Sequence, residues 1–441
     1  MIRNMTSCCA LVAALGSMLG LFSGCGGGSG SSNDPAAVPP VSIVSYGPNA
    51  VSVWNQIATD TINVAPAATG TPEERAPNYA VDLATLHVAM YDAVIAIAGT
   101  HEPYAITPAT GAAGATGASM DAAASAAAYG VLKGLFPARA NIYQGTYDLL
   151  LSTIPAGEAR DRGIAIGADV ARGILAKRAN DGRDTVLGAY VPGTAPGKFR
   201  GTNPVNRTTP FIRPFALTSA SQFRAPGPPA LESSAYAADV NETKAYGSAT
   251  STVRTAAQTE TARFATEPPP RYWPRNLRQF ATSNKSLAEN ARLSALLWVA
   301  HADAITGCFD SKYYYEFWRP TSAITLADTD PNPATVADPA WVPVVPTPNH
   351  PEYPAAHSCG TAAAAEILKS YFGTEKVSFS FDSAVADTVV HSYKSTDDAV
   401  ADVQAARIHG GMHFRTSTVH GAALGAAVAK WVAEHHFRPR N

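Results

Sequence analysis

Apolar residues recur at helical spacing along much of the chain. One such stripe is formed by Leu83, Leu86, Met90, Val94 and Ile97. It is followed by Gly99, a residue type that commonly ends helices. Alanine-rich helical patterns continue through 122–135, 140–151, 158–179 and 249–265. The first part of the chain is therefore predicted to be helical.

The C-terminal part has the same periodicity. Ser286 and Glu289 form a capping box ahead of an apolar face, which predicts the start of a long helix. Further helices are predicted at 361–371, 398–408 and 419–432. No extended apolar–polar alternation typical of strands stands out. The pattern thus predicts an all-α protein built of helical bundles.

Two long segments break this helical pattern. Residues 181–229 are dense in Gly, Pro, Thr and Asn, and residues 331–354 are rich in proline. Long irregular segments inside a compact protein are often functional, so we expect the first to shape the mouth of a cavity. The second ends just before His357, which should lie at or just before a helix N-terminus.

The N-terminus has the features of a targeting segment. Arg3 precedes an apolar run over 5–21, and small residues precede Cys25. This pattern resembles a bacterial lipoprotein signal and predicts a signal peptide at 1–24, a flexible tether at 25–40 and a helical domain at 41–441. The chain should then be exported and lipid-anchored at Cys25, on the periplasmic side or at the cell surface. The alternative is a secretory peptide cleaved elsewhere.

Composition narrows the possible partners. The chain has 441 residues and a formal net charge of −2, without a basic run long enough to predict nucleic-acid binding. After signal cleavage and lipidation, Cys308 and Cys359 are the remaining thiols. An oxidising compartment would permit a disulfide between them, and two buried free thiols are the alternative.

Three stretches in the last third carry candidate chemistry. Lys312 and Arg319 lie in an aromatic-rich run, and their spacing of two helical turns predicts one shared helical face. His357 lies near the predicted helix N-terminus, where free N–H groups attract anions. Arg407 and His413 flank a Gly-Gly turn that lets both side chains reach one ligand. Fixed cations and histidines of this kind suit a phosphate-like oxyanion.

In this order, the stretches resemble the signature of the vanadium-dependent haloperoxidase and type 2 phosphatidic acid phosphatase superfamily. That signature reads Lys-x6-Arg-Pro, then Pro-Ser-Gly-His, then Ser-Arg-x5-His. The chain matches the key residues of all three motifs, over about 286–436. It departs at Ala355, Ala356 and Ala406, which replace a serine, a glycine and a serine. The loss at 355 removes a hydroxyl donor, whereas the backbone N–H of Ala356 can still donate.

The resemblance implies a haloperoxidase that oxidises halide with hydrogen peroxide at a histidine-bound vanadate. In this reading His413 ligates vanadium and His357 is the acid/base. The residues that hold the oxyanion are Lys312, Arg319, Ala356 and Arg407. The fold it implies is that of the helical vanadium haloperoxidases and acid phosphatases.

The same site supports a second chemistry. In a phosphatase, His413 would attack the phosphorus of a phosphate monoester and His357 would protonate the leaving alkoxide. A non-catalytic, ligand-binding lipoprotein is a further alternative. A zinc hydrolase using His409 and His413 lacks the His-Glu-x-x-His pattern.

Three more residues are candidates by position. His350 lies where haloperoxidases place a residue on the halide side, although a plain loop histidine is slightly favoured. Asp303 or Asp310 could hold Arg407 or Lys312 as a supporting carboxylate, and a structural charge is an equal alternative.

Overall fold

The structure is a computed structural model that describes residues 41–42, 49–63, 78–109, 111–277, 279–280, 284–386 and 389–440. The predicted signal peptide at 1–24 and the tether at 25–40, with Cys25, lie outside the described residues. That division of the chain stays a prediction.

The described first half is mostly helical. Its helices are α1 Ala50–Asn63, α2 Tyr79–Ala98, α3 Gly111–Ala115, α4 Met120–Leu135, α5 Ala140–Ser152, α6 Glu158–Arg178, α7 Ser234–Gly247 and α8 Ala256–Phe264. Of these, α1, α3 and α7 were not predicted from the sequence. Gly99 ends α2 in the left-handed conformation, as the sequence indicates. The predicted helix at 249–265 is shorter than expected because Thr255 and Gln258 form a capping box that starts α8.

The second half contributes six more helices. They are α9 Pro269–Leu277, α10 Leu287–Tyr315, α11 Pro320–Thr325, α12 Ala356–Phe372, α13 Thr396–His409 and α14 Arg415–His435. The predicted capping box of Ser286 and Glu289 starts α10. Helices α2, α4 and α6 pack together, as do α10, α12 and α14, and α10 also packs against α2. The prediction of an all-α fold built of helical bundles is confirmed.

A small sheet lies beside the helices. Strand β1 (Val41–Ser42) runs parallel to β2 (Val377–Asp382), which pairs antiparallel with β3 (Val390–Tyr393). The alternation of Val377, Phe379 and Phe381 with two serines was missed in the sequence, and its apolar members are buried. The segment is too short to change the fold class.

Helix α2 is long and apolar enough to cross a membrane, the one such helix in the part of the chain that the structure describes. Most of its most apolar stretch is buried inside the protein. Its interior carries Asp92 and His87, both fully buried.

Helices α10 and α12 are held close together near the three motifs. Cys308 of α10 and Cys359 of α12 form a disulfide, with 6.4 Å between their Cα atoms. The structure thus decides between the two alternatives for these cysteines. Gly421 of α14 adds to this close packing, since a Cβ there would lie 2.7 Å from the carbonyl oxygen of Ala355.

Two buried aspartates anchor irregular segments to the bundles. Asp303 of α10 accepts hydrogen bonds from the backbone N–H groups of Phe215, Ala216 and Leu217, at 2.7 to 3.0 Å. Asp92 of α2 does the same for three consecutive N–H groups at 104–106. Buried N–H groups need partners, so these carboxylates fix the course of segments that lack regular structure.

Replacing Asp303 with alanine should destabilise the fold strongly. Three buried N–H groups would lose their acceptor, which costs about 1–3 kcal/mol for each group. We expect the free energy of unfolding to fall by about 3 kcal/mol or more, measured by denaturant titration. Asp310→Ala is the matched control, because Asp310 lies on the same helix and pairs with the side chain of Arg224. An equal loss in both variants would contradict the anchoring role.

Candidate active site

The first motif is split by the end of a helix. Lys312 lies in the last turn of α10, which ends at Tyr315, and Glu316 follows with a left-handed φ of 48°. Arg319 is the N-cap residue of α11, with Pro320 as the first helical residue. The prediction that Lys312 and Arg319 share one helical face is therefore wrong. A turn, rather than a continuous helix, directs them to a common partner.

That partner is the backbone of residues 350–352. The Lys312 ammonium donates to the carbonyl oxygens of Pro351 (2.9 Å) and Glu352 (2.8 Å). Arg319 Nε donates to the carbonyl oxygen of His350 (2.7 Å). The proline-rich loop thus ends by presenting backbone oxygens to both cations of the first motif.

The third motif follows a sharp turn. Arg407 lies in the last turn of α13, and Gly411 adopts a positive φ of 76°, which suits glycine. Arg407 Nη1 donates to the carbonyl oxygen of Ala265 (2.8 Å), and its Nη2 lies 2.9 Å from Met412 Sδ. Its Nε is buried without a hydrogen-bond partner among the described residues. A buried guanidinium N–H left open in this way is a donor for a ligand.

His413 is held between an arginine and a carboxylate. Its Nε2 lies 3.1 Å from Arg319 Nη1, and its Nδ1 lies 2.8 Å from Glu352 Oε1. Because a guanidinium can only donate, Nε2 must accept, so the ring proton lies on Nδ1 and is donated to Glu352. The nitrogen that carries the lone pair is therefore the one beside Arg319.

His357 occupies the first turn of α12, as expected. Its Nε2 lies 3.1 Å from the carbonyl oxygen of Glu267, which can only accept, so Nε2 carries the proton and Nδ1 is the basic nitrogen. The N-cap residue Ala355 has no side chain to cap the helix. The N–H groups of the first turn, including that of Ala356, thus remain as donors at the positive end of α12.

Three basic side chains of the site are buried away from solvent. Lys312, Arg319 and Arg407 are all buried, and no carboxylate in the described part of the chain forms an ion pair with any of them. Burial lowers the pKa of Arg319 to about 10 and that of Arg407 to about 9. Unpaired buried cations are costly, and a bound anion would relieve that cost.

Both histidines are neutral in this environment. Burial, followed by the positive charge of Arg319, lowers the pKa of His413 well below its usual value. Burial, followed by the charge of Arg407, does the same for His357. A neutral imidazole keeps one lone pair, which a metal ligand, a nucleophile or a base requires.

A cavity of about 520 Å³ opens beside these groups. The site residues in its wall are His357, Ala356 and Arg407, together with His350. The irregular segment 181–229 contributes Val205, Asn206 and Thr209, in agreement with the expectation that it shapes a cavity. The remaining lining is mostly apolar and includes Ile305, Phe309 and several prolines.

The remaining candidate residues differ in whether they contact the site. His350 lines the cavity, and its Nδ1 lies 3.0 Å from Arg319 Nη2 and 3.2 Å from the carbonyl oxygen of Pro351. Asp303 and Asp310 do not hold Arg407 or Lys312; they bind backbone N–H groups and Arg224, respectively. His409 ends α13 and packs on Tyr246, so it shares no helix with His413. No group of three or more potential metal ligands occurs among the described residues.

Glu352 is the residue that sequence reasoning missed. It is fully buried and is the carboxylate in contact with His413. Its position directly before the His357 motif was only a weak signal, because an acidic side chain in a proline-rich loop is ordinarily solvated. Glu267, which orients His357 through its carbonyl oxygen, left no comparable signal, since any residue offers a backbone carbonyl.

Comparison with known proteins agrees with the geometry. Residues 292–441 match the family model described as the VCPO second helical-bundle domain. A bacterial vanadium-dependent iodoperoxidase superposes with a TM-score of 0.70 at 22% identity, covering 89% of this chain and 96% of that chain. The holo form of a bacterial vanadium-dependent chloroperoxidase gives 0.65 at 15% identity, covering 88% and 97%. No curated protein sequence matches.

The resemblance inferred from the three motifs is therefore confirmed. The chain has the helical fold of the vanadium haloperoxidases, and its C-terminal bundle matches the model of the VCPO second helical-bundle domain.

Binding of an oxyanion should raise the pKa of Lys312, so that binding above the pKa of the free protein is coupled to proton uptake at this residue. Burial, followed by the charge of Arg319, lowers the pKa of Lys312 well below its ordinary 10.5, whereas a bound anion would favour the ammonium and raise this pKa again. Affinity should then be full below the pKa of the free protein and fall as the pH rises from that value to the pKa of the complex.

Calorimetry with phosphate in buffers of different ionisation enthalpy measures this proton. Lys312→Arg is the control, because a guanidinium stays charged and should take up no proton. Protons exchanged through the ionisation of phosphate itself contribute equally in both proteins, so the difference between them reports on Lys312. Equal uptake by both would show that Lys312 is already charged in the free protein.

Proposed function

We propose that this chain is a vanadium-dependent haloperoxidase. The observation that carries the proposal is the set of three buried cations without a paired carboxylate, placed beside two neutral histidines and an uncapped helix N-terminus. Such a donor set suits a compact, multiply charged oxyanion. The fold shared with bacterial iodo- and chloroperoxidases supports the choice of vanadate.

The residues present fit vanadate. Lys312, Arg319 and Arg407 would hold its oxygens with the N–H of Ala356. The unprotonated Nε2 of His413, which accepts from Arg319 in the free protein, would ligate the metal once that hydrogen bond is released. When bound, vanadate supplies the activation of hydrogen peroxide toward halide. His357 would accept or return a proton at Nδ1, since its Nε2–H is fixed by the carbonyl of Glu267.

A phosphatase is the second candidate, and one contact favours it. The Nδ1–H of His413 donates to Glu352, so Nε2 is oriented as a nucleophile with a carboxylate behind the ring. In this reaction Nε2 forms a bond to phosphorus while the ester P–O bond breaks. The leaving alkoxide would take a proton from His357 Nδ1, which must first be protonated because the Nε2–H is held by the carbonyl of Glu267. Water would then cleave the N–P bond of the phosphohistidine and return a proton to Nδ1, which releases phosphate.

Export and anchoring at Cys25 complete the proposal. The Cys308–Cys359 disulfide supports an exported protein, because disulfides persist in oxidising compartments. The substrates would then be hydrogen peroxide with a halide, or a phosphate ester, outside the cytosol.

Assaying both reactions on one preparation tests the proposal. Protein loaded with vanadate should oxidise bromide or iodide with hydrogen peroxide, whereas a phosphatase would hydrolyse esters without metal and be inhibited by vanadate. His413→Ala should reduce turnover to background, because it removes the nitrogen that either reaction needs. His409→Ala is the matched control and should retain activity, since His409 lies outside the site.

The outcomes separate the candidates. Ester hydrolysis without halide oxidation would replace the haloperoxidase with the phosphatase. Anion binding without either reaction would favour a ligand-binding lipoprotein.

Ala355→Ser tests the departure from the superfamily signature. A restored hydroxyl donor to a charged oxygen is worth about 1.5–3 kcal/mol, so vanadate affinity should rise by roughly 10-fold or more. Titration of vanadate into both proteins measures this change. The competing result is a higher melting temperature with unchanged affinity, which would mean that the serine oxygen caps α12 instead.

A further inference from the structure

Glu352 is bound at three points to the residues of the site. Its carbonyl oxygen accepts from Lys312, and its backbone N–H donates to the carbonyl oxygen of Phe317 at 2.9 Å. Its Oε1 accepts from His413 Nδ1 and from the backbone N–H of Phe414 at 3.0 Å. One residue thus connects the cation of the first motif with the histidine of the third.

This arrangement decides which nitrogen of His413 is available. A neutral histidine has one N–H and one lone pair, and the two tautomers expose different atoms to a ligand. With a carboxylate on Nδ1, the tautomer with the proton on Nδ1 is strongly favoured. The lone pair then lies on Nε2, beside Arg319 and among the unpaired cations.

The surroundings of the Glu352 carboxyl support the same conclusion. Burial raises the pKa of this carboxyl to about 7, while the charges of Lys312 and Arg319 and the hydroxyl of Ser417 act against that rise. The two cations therefore favour the charged carboxylate, which strengthens the electron-donating character of His413 Nε2.

We propose that Glu352 is the positioning residue of this site, holding His413 in the tautomer whose bare Nε2 binds vanadium or attacks phosphorus. The inference rests on the proposed function for the role of Nε2. The contact itself, between a buried carboxylate and Nδ1, is a property of the protein without any ligand.

A comparison of vanadate with phosphate distinguishes positioning from simple structural support. Both anions use the cations, but vanadate also uses the lone pair of Nε2 as a ligand. Loss of a carboxylate behind a ligating histidine typically costs 10- to 100-fold in metal affinity. Glu352→Ala should therefore weaken vanadate binding by about that factor and phosphate binding much less.

Two further variants sharpen the test. Glu352→Gln keeps an amide oxygen that can accept from Nδ1–H, so the ratio of vanadate to phosphate affinity should fall less than in Glu352→Ala. Glu242→Gln is the matched control, because Glu242 pairs with Arg415 away from the cavity and should leave the ratio unchanged. If the alanine variant fails to fold, the glutamine variant still tests the ratio.

Nitrogen NMR of the metal-free protein provides a readout independent of activity. The His413 ring, assigned with His413→Ala, should show a protonated Nδ1 and a bare Nε2 in wild type. The Glu352→Ala variant should show a mixture of tautomers. A wild-type ring with its proton on Nε2, or an unchanged affinity ratio in both Glu352 variants, would overturn the inference.

The outcomes of these experiments distinguish a failure of the positioning role from a failure of the proposed function. If wild type catalyses neither reaction but the tautomer and the ratio respond to Glu352, positioning stands and the enzyme proposal fails. If wild type oxidises halide while both Glu352 variants keep the wild-type ratio, the enzyme proposal stands and positioning fails.

Discussion

Burial of unpaired positive charge is the constraint on which the rest of the site depends. Lys312, Arg319 and Arg407 are removed from water, and in the described structure their hydrogen bonds go mainly to backbone carbonyl oxygens rather than to carboxylates. Carbonyl dipoles reduce the cost of desolvation without cancelling the charge. The remaining positive potential suits the concentrated anion of the proposed function.

That constraint explains why irregular backbone surrounds the cations. A carbonyl inside a helix or strand is already used by its own element, so oxygens for side-chain cations must come from turns and loops. The carbonyls of 350–352 come from the end of the proline-rich loop, and that of Met412 comes from the turn after α13. Proline and glycine in these segments are therefore part of how the cations are held.

Irregular backbone needs a rigid support, and the bundles supply it. The disulfide between Cys308 and Cys359 joins the helix that carries Lys312 to the helix that begins at His357. Asp303, on the same helix as Lys312, accepts from three backbone N–H groups of the irregular segment 181–229, which contributes to the cavity wall. The long helix α10 thus carries a site cation, the disulfide and an anchor for the cavity wall.

Sequence patterns revealed the helices and the ligand-bearing motifs because both depend on local periodicity and spacing. They did not reveal that α10 ends between Lys312 and Arg319, since the left-handed residue there is a glutamate rather than a glycine. Helix α7 was missed because its apolar face is weakly marked. Glu352 was not identified from the sequence, because its role depends on a contact with His413, 61 residues further along the chain.

The alanine at 355 has an effect on the helix as well as on the ligand. A serine at this N-cap position could donate to an oxyanion, but its oxygen could also accept from the first-turn N–H groups of α12. Alanine removes both options, leaving the helix uncapped at a cost of about 1 kcal/mol while keeping the N–H groups of 356–358 without a side-chain acceptor at the N-cap. Together with the open Nε of Arg407, those N–H groups remain as donors for the anion. The site therefore exchanges one hydroxyl donor for a helix end with no competing acceptor. If the proposed function holds, the balance between these two effects sets how tightly the oxyanion is bound.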